Sequence, residues 1–199
     1  MLIVGINGSP NKDGNTAFLL ECVLQAAKEK EAETKIIHVM EVLVGQEKPY
    51  CDACSSPCDK SCFEGTLLEE AFNLLKQADG VVLGSPVYFG TVSAQMKAFW
   101  DKTRHLRTER ALIGKVGGAV AVGNSRFGGQ ETTLRALHDI MLIHGMSVVG
   151  DGSSEYDAGH QGVCGQRPVR EDKNAIKRAK ILGTRLYHEA LRLSEKVRE

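Results

Sequence analysis

The chain lacks a long hydrophobic run and lacks an excess of charge of either sign. No apolar stretch in its 199 residues approaches the ~20 residues that span a bilayer. Lys plus Arg number 25 and Asp plus Glu number 25, so the formal net charge is zero. A balanced chain has no electrostatic signature of a nucleic-acid or anionic-membrane partner. Residues 1–6 are apolar but short and have no basic leader, so we expect a cytoplasmic protein.

The sequence also lacks the side-chain motifs of several enzyme classes. It carries no recognisable Ser–His–Asp or paired-carboxylate constellation. Gly14 is followed by Asn15 and Thr16, which excludes a Walker A loop, and no G-x-G-x-x-G is present. These absences agree with chemistry that a bound cofactor carries, without catalytic side chains of the protein.

Five short apolar runs alternate with amphipathic stretches. The runs, which we take as strands, cover residues 2–6, 35–39, 80–84, 118–122 and 146–149. Continuous apolar strands indicate burial on both faces, as in a parallel sheet, and the alternation predicts a doubly wound five-stranded α/β domain. We take residues 1–199 as a single domain, whose last helix runs from about Ile176 to Val197. Ligands of such sheets bind beyond the carboxyl ends of the strands.

The loop after the first strand is rich in Gly, Ser, Asn and Thr and leads into a helix. Ser9, Asn15 and Thr16 are positioned to hold an anion with the help of the helix N-terminus, and a phosphate fits. The alternative is a polar turn with an ordinary helix cap. The loop sequence by itself does not separate the two interpretations.

The loops after the third and fourth strands are expected at the same rim. The first of them, residues 85–93, contains Tyr88 and Phe89, which a flat aromatic ligand would explain. Packing onto the core or against another subunit is the alternative. The second loop, residues 123–131, contains Gly128 and Gly129 directly before a predicted helix, and it could hold a polar ligand edge.

Four of the six cysteines fall within residues 51–62, with the spacing C-x2-C-x3-C-x3-C. They lie in residues 45–64, called the cysteine segment below. It is long for a βα connection, which is usually ~2–6 residues, so we interpret it as a functional insertion at the rim where such sheets bind ligands. An iron–sulfur cluster, a zinc site and disulfides are possible, and we favour them in that order. Four thiolates in one short loop suit a cluster better than zinc, whose sites usually pair two separated C-x2-C units, and cytosolic thiols stay reduced. Lys60 is a candidate to offset thiolate charge.

These motifs together resemble the flavodoxin-like NAD(P)H-dependent FMN reductases, over about residues 1–165. With the cysteine segment added, the chain is similar to the iron–sulfur flavoproteins of anaerobic archaea and bacteria. The resemblance implies an FMN phosphate site at Ser9, Asn11, Gly14, Asn15 and Thr16. It implies an isoalloxazine border at Pro86, Val87, Tyr88, Phe89 and Gly90, and a pyrimidine edge near Asn124, Ser125, Gly128 and Gly129. It implies a 4Fe–4S cluster on Cys51, Cys54, Cys58 and Cys62.

The cysteine spacing departs from that family at one point. The family pattern is usually C-x2-C-x2-C, whereas three residues, including Pro57, separate Cys54 from Cys58. Cys58 is therefore the ligand that most needs a test. Cys22 and Cys164 are not expected to be ligands.

The resemblance implies an FMN-dependent oxidoreductase that passes electrons between NAD(P)H or ferredoxin, FMN, the cluster and an acceptor. It also implies a homodimer or homotetramer. A cluster-free NAD(P)H-dependent FMN or quinone reductase is one alternative. A non-enzymatic electron carrier or thiol-based redox sensor is the other.

Overall fold

The computed structural model of the chain describes residues 1–196, so the predicted helical position Val197 lies outside the described residues. The strands are β1 (Leu2–Asn7), β2 (Glu33–His38), β3 (Gly80–Pro86), β4 (Val116–Gly123), β5 (Ser147–Val148) and β6 (Val163–Gln166). The helices are α1 (Asn15–Lys28), α2 (Val39–Leu43), α3 (Leu67–Gln77), α4 (Ala94–Asp101), α5 (Arg104–Thr108), α6 (Gln130–Ile143) and α7 (Lys173–Lys196). A 3-10 turn covers Val169–Glu171.

The strands form one parallel sheet in the order β2-β1-β3-β4-β5, with β6 also paired to β4. The predicted five-stranded, flavodoxin-like arrangement is therefore confirmed. Every residue of β4 is buried, because helices cover both faces of the sheet. One hydrophobic core lies under α1 and α7 and includes Leu19 and Leu182, while the other lies under α3, α4 and α6 and includes Phe72 and Phe99.

The sixth strand is a correction to the sequence-based prediction. β5 pairs only with the beginning of β4, where Val116 lies opposite Ser147. β6 then pairs with the end of the same strand, where Val120 lies opposite Val163. Two short segments thus share one edge of β4. Neither is long enough to show a periodic pattern, and their pairing depends on the fold of the whole chain.

The short helices α2 and α5 were also not predicted. Each has five residues, which is too few to display helical periodicity in the sequence. α5 begins three residues after α4 ends, so the sequence presents both as one continuous amphipathic stretch. Both helices lie beside the cysteine segment, and α5 helps to hold it.

The cysteine segment packs against residues 102–109, a stretch that we call the platform. Phe63 is buried with its ring centroid 4.4 Å from that of His105 and 5.0 Å from that of Phe72. Arg104 donates a 2.7 Å hydrogen bond from Nη1 to the carbonyl oxygen of Ser55. These contacts fix an otherwise irregular stretch to the α3 and α4 side of the sheet.

The position of the cysteine segment differs from the rim that we expected. The contacts of Ser55 and Phe63 are with residues that follow the C-terminal end of α4, whereas α4 begins next to the loop after β1. An eight-residue helix is about 12 Å long, so its two ends are well separated. The segment follows β2 and α2 in the chain. Burial of the apolar Phe63 ring against His105 holds it near the far end of α4.

None of the helices in residues 1–196 combines the length and the apolar character that crossing a membrane would require.

Candidate functional site

The loop between β1 and α1 is shaped by bonds from its own side chains to its backbone. Asn7, fully buried at the end of β1, accepts a 3.0 Å bond at Oδ1 from the Ser9 N–H. Ser9 Oγ accepts a 3.1 Å bond from the Asn11 N–H, and Asn11 Oδ1 accepts one of 3.1 Å from the Asp13 N–H. These successive turns hold the loop at the carboxyl edge of the sheet and direct it into α1.

The N-terminus of α1 has the properties of an anion site. Gly14 is its N-cap residue, and no side chain caps the helix. The first backbone N–H groups are therefore available to a ligand, and the helix dipole favours a negative charge there. Asn15 Oδ1 accepts a 3.0 Å bond from the Val169 N–H, and Thr16 is buried. The Asn15 side-chain oxygen thus joins this loop to the chain that follows β6.

The loop after β3 closes in a tight turn that carries two exposed aromatic side chains. Tyr88 and Thr91 exchange backbone hydrogen bonds of 3.0 and 3.2 Å. Phe89 has a positive φ of 51° and is fully exposed, and Tyr88 is partly exposed. Neither ring therefore packs onto the core of this chain, which was one of the alternatives to a flat ligand. Exposed rings at the ligand rim suit a planar ligand or another protein surface.

Gln130, the first residue of α6, organises the loop after β4. Its side chain is buried, and Oε1 accepts a 2.9 Å bond from the Gly128 N–H. Its Nε2 donates to the carbonyl oxygens of Ser125, at 2.6 Å, and Gly165, at 3.3 Å. One amide therefore holds the predicted pyrimidine-edge loop in shape and joins it to β6.

The three rim loops contact one another. Ser93 donates a 2.6 Å bond from Oγ to the Gly8 carbonyl oxygen, which links the loops after β1 and β3. Thr132 donates a 2.6 Å bond from Oγ1 to the Gly90 carbonyl oxygen, which links the loops after β3 and β4. Gly129 has φ 98°, and a Cβ on it would lie 2.9 Å from Gly90 Cα. The result is one continuous rim with an anion site at one end and exposed aromatic rings at the other, which fits FMN.

The cysteine segment supplies four thiols of the type that ligate iron–sulfur clusters. Cys51 and Cys58 are half-buried, Cys54 and Cys62 are exposed, and all four are free. Within residues 1–196, no group of three or more His, Cys, Asp and Glu side chains is arranged as a preformed metal site. The donor chemistry fits a cluster, but the thiols would have to gather around it. Metal binding and local folding are commonly coupled in this way.

The four thiols nevertheless lie in one another's electrostatic field. Burial raises the pKa of the Cys62 thiol, and the positive charge of Lys102 opposes that rise. Thiolate charge on the other three cysteines raises the pKa of Cys62 further. Mutual repulsion thus disfavours negative charge on these thiols, and Lys102 opposes that effect at Cys62.

Lys60 was expected to offset thiolate charge, but its ammonium binds another partner. Lys60 Nζ lies 2.7 Å from Glu109 Oε1, and Lys76 Nζ lies 2.6 Å from Glu109 Oε2. These two hydrogen bonds hold the pKa of Glu109 at about 2. Lys60 therefore fastens the cysteine segment to the platform, and its charge is largely compensated by Glu109.

The two remaining cysteines are separate from the four. Burial raises the pKa of Cys164 to about 11, and it lies on β6. Burial likewise raises the pKa of Cys22, on α1. Both cysteines lie outside the cysteine segment, so they stay outside the predicted ligand set.

Sequence reasoning missed Gln130 as an organising residue and Lys102 as a buried cation. Gln130 follows two glycines at a helix start, a position that is usually exposed, and the sequence carried no sign that its side chain turns inward. Lys102 did leave a signal. It lies three residues after Phe99 and four before Leu106, so it stands on the apolar stripe of the platform.

Comparison with known proteins agrees with this geometry. Residues 1–161 match the family of the NADPH-dependent FMN reductases. An iron–sulfur flavoprotein of Methanocaldococcus jannaschii is 42% identical over 189 residues, which cover 94% of this chain and 95% of the relative. One of Methanosarcina thermophila is 39% identical over 174 residues, 86% of each chain. The solved WrbA-like flavodoxin of Agrobacterium tumefaciens superposes with a TM-score of 0.66 at 21% identity, covering 96% of this chain and 98% of its own.

The fold and the rim thus define an FMN-dependent oxidoreductase of the NADPH-dependent FMN reductase family. Within that flavodoxin-like class, the identity to relatives that also span the cysteine segment places the chain more narrowly. It belongs to the iron–sulfur flavoprotein family.

Proposed function

We propose that this protein passes electrons between NAD(P)H or a ferredoxin, FMN, a 4Fe–4S cluster and an acceptor, in the cytoplasm. The observation that carries the proposal is the set of four free thiols in one segment of an FMN-dependent fold. The names of the relatives, iron–sulfur flavoproteins, support it. Bound FMN would supply exchange between two-electron and one-electron chemistry, and a bound cluster would supply one-electron transfer.

The chain's own residues would bind and orient the flavin. The uncapped N-terminus of α1 would hold the phosphate with backbone N–H groups, because those groups have no helical partner. The predicted phosphate-site residues are Ser9, Asn11, Gly14, Asn15 and Thr16. Buried Asn7 and Ser9 keep the loop in the shape that presents those groups.

The loops after β3 and β4 would border the flavin ring. The predicted contacts are Pro86, Val87, Tyr88, Phe89, Gly90, Asn124, Ser125, Gly128 and Gly129. Backbone N–H donors that are fixed in advance stabilise negative charge on a reduced ring better than mobile water does. The Gln130 side chain and the Thr132–Gly90 bond supply that rigidity.

The cluster ligands would be Cys51, Cys54, Cys58 and Cys62. The contacts of Ser55, Lys60 and Phe63 with the platform fix the backbone that carries them. The thiols themselves are left free to move together, which agrees with their exposed and half-buried positions.

Exposed apolar side chains support the proposed homodimer or homotetramer and a protein electron donor. Ile113, Leu142 and Ile143 are all exposed and line a depression of about 610 Å³ together with Arg104 and Arg107. Apolar side chains beside arginines suit a protein partner that presents carboxylates. A ferredoxin would fit, and Arg104 also contacts the cysteine segment.

A cluster-free NAD(P)H-dependent FMN or quinone reductase is the second candidate. The observation that favours it is that the described thiols are not preassembled around a metal position. In that case the cysteine segment would be structural, or it would bind zinc.

Anaerobic purification followed by absorption spectra before and after dithionite separates the two candidates. We expect a flavin spectrum superimposed on broad iron–sulfur absorbance that dithionite bleaches, with iron and acid-labile sulfide in equal amounts. A flavin spectrum alone, with no iron by metal analysis, would exclude the cluster and favour the second candidate. Steady oxidation of NADPH or NADH by the same preparation would argue against a non-enzymatic carrier or sensor.

A further inference from the structure

Asn7 and His38 are the last residues of β1 and β2, and they lie opposite each other in the parallel pairing of these strands. Side chains at paired positions point to the same face of a sheet. These two side chains meet there, with Asn7 Nδ2 3.1 Å from His38 Nδ1. Asn7 is fully buried and His38 is partly buried. The contact therefore lies at the carboxyl edge of the sheet, where the loop between β1 and α1 begins.

The backbone of Ser9 determines which end of the Asn7 amide faces His38. A backbone N–H can only donate, and that of Ser9 donates a 3.0 Å bond to Asn7 Oδ1. The NH2 group of Asn7 therefore turns toward His38. Its second hydrogen is directed at the Asn11 carbonyl oxygen, at a distance of 3.5 Å from Nδ2. A flipped amide would place the NH2 group against the Ser9 N–H, so only one orientation satisfies the contacts.

This orientation determines the state of the His38 ring. The Asn7 NH2 group only donates, so His38 Nδ1 has to accept with a lone pair, and the proton of the neutral ring lies on Nε2. Burial is the main effect on His38 and lowers its pKa, which favours the neutral ring. The charged groups around the ring come from the loop, from α1 and from α2. They are Lys12, which lowers the pKa, and Asp13, Glu21 and Glu41, which raise it.

We propose that His38, as a neutral ring with its proton on Nε2, is a positioning residue for the flavin phosphate. It acts through Asn7, whose amide accepts the Ser9 N–H, while Ser9 Oγ accepts the Asn11 N–H further along the loop. The loop leads into the uncapped N-terminus of α1. A loop that holds its shape before the ligand arrives binds more tightly, because binding does not have to order it. The inference rests on the proposed phosphate site.

Acid should weaken FMN binding through this contact. Protonation of His38 Nδ1 places an N–H against the Asn7 NH2 group, and a flip of the amide moves the same conflict to the Ser9 N–H. Either arrangement leaves two donors facing each other, so the loop loses its support as the pH falls through the pKa of His38. A phosphate monoester also binds a proton with a pKa of about 6. The test therefore needs a variant that lacks only the titrating ring.

The test compares the wild type with His38→Gln, His38→Leu and His188→Gln. The first variant supplies a carbonyl oxygen as acceptor and does not titrate, whereas His38→Leu supplies no acceptor. His188→Gln removes an exposed histidine of α7 and is the matched control. Each apo-protein is titrated with FMN and with riboflavin by fluorescence at about pH 8 and about pH 5.5, which bracket the ordinary pKa of histidine. Circular dichroism checks that each protein is folded under both conditions.

At the higher pH, we expect His38→Leu to bind FMN on the order of tenfold more weakly than the wild type, as for one buried donor without its acceptor. His38→Gln and His188→Gln should bind FMN as the wild type does. Riboflavin has no phosphate and should bind all four proteins alike. On acidification, the wild type and His188→Gln should lose more FMN affinity than His38→Gln. If His38→Leu does not fold, this last comparison decides.

An equal loss of FMN affinity on acidification in the wild type and His38→Gln would overturn the inference. Equal weakening of FMN and riboflavin binding in His38→Leu would also overturn it, since a merely structural role affects both flavins. Nitrogen NMR of the apo-protein with labelled histidine gives a check without flavin, and a proton on His38 Nδ1 at the higher pH would contradict the inference. A wild type that binds FMN no more tightly than riboflavin would instead overturn the proposed phosphate site, and the inference with it.

Discussion

At the scale of single residues, the cysteines and histidines of this chain differ in how strongly burial shifts their pKa. The four thiols of the cysteine segment are free, and Cys54 and Cys62 are exposed, whereas burial raises the pKa of Cys164, on β6, to about 11. Exposure and a thiolate form decide whether a cysteine can ligate a metal. Burial also acts on two buried histidines, since it lowers the pKa of His105 and that of His144.

Replacing Cys58 with Ala should lower the iron content per chain. Cys58 follows the unusual three-residue gap, and it is half-buried and packed on the core. If it is a ligand, three thiolates cannot hold a complete cluster as firmly as four. Iron and sulfide analysis after anaerobic purification measures the effect. Cys164→Ala serves as the matched control and should keep full iron, and equal iron in the two variants would remove Cys58 from the ligand set.

The buried His144 should make the folded protein less stable at mildly acidic pH. Burial lowers the pKa of His144 to about 4, and the charge of Arg107 adds to the effect. The Thr103 hydroxyl donates to the Trp100 carbonyl oxygen at 2.6 Å, so its oxygen accepts the 3.0 Å bond from His144 Nε2. His144 Nδ1 is buried and has no hydrogen-bond partner among the described residues, so protonation would bury an unsatisfied N–H. The unfolded chain binds a proton with pKa 6.5 that the folded chain excludes.

The free energy of unfolding should therefore fall as the pH decreases from about 6.5 to about 4, by on the order of 2 kcal/mol from this group. Urea unfolding at pH 7 and pH 5 measures it. His144→Gln should show a smaller difference between the two pH values than the wild type. His188→Gln, at an exposed position of α7, should not. An unchanged difference in His144→Gln would show that the sensitivity arises elsewhere, for example at His105, whose pKa burial also lowers.

At the scale of elements, the rim loops depend on side chains that connect one loop to another. Gln130 joins the loop after β4 to β6, and Thr132 and Ser93 join the loop after β3 to its two neighbours. The order of elements and the Gly-rich composition of the loops were readable from the sequence. The connections were not, because a Gln or a Thr at a helix start has the same local pattern whether it points outward or inward.

Gln130→Ala should weaken FMN binding about tenfold and lower the free energy of unfolding by about 1–3 kcal/mol. The substitution leaves the Gly128 N–H and the Ser125 and Gly165 carbonyl oxygens without their partner. Flavin fluorescence titration of the apo-protein and urea unfolding measure the two effects. Gln25→Ala is the matched control, because Gln25 makes only an exposed bond to Glu29. Equal flavin affinity in both variants would show that Gln130 does not organise the flavin loop.

At the scale of the whole molecule, two candidate sites lie toward opposite ends of α4. The flavin rim is linked to α4 at Ser93, and the cysteine segment is held by residues after its C-terminal end. The flavin loops connect central strands of the sheet, whereas the cysteine segment contributes Phe63 to the core under α3, α4 and α6.

FMN should raise the thermal midpoint of the apo-protein with the logarithm of its concentration, and riboflavin should raise it much less. At a flavin concentration of 100 times the dissociation constant, stabilisation amounts to about 2.7 kcal/mol. Riboflavin carries the same ring without the phosphate, so the difference measures the anion site at the uncapped start of α1. Differential scanning calorimetry makes the comparison. Equal stabilisation by both flavins would place the phosphate elsewhere.

The sequence by itself determined the parallel sheet, the three polar loops and the group of four cysteines. Each of these is written in local patterns: continuous apolar runs, glycines before a helix, and thiols within twelve residues. Only the tertiary structure decided that β5 and β6 share an edge, that Gln130 points inward, and that the cysteine segment packs at the far end of α4. These features depend on contacts between distant parts of the chain, and no local pattern specifies such contacts.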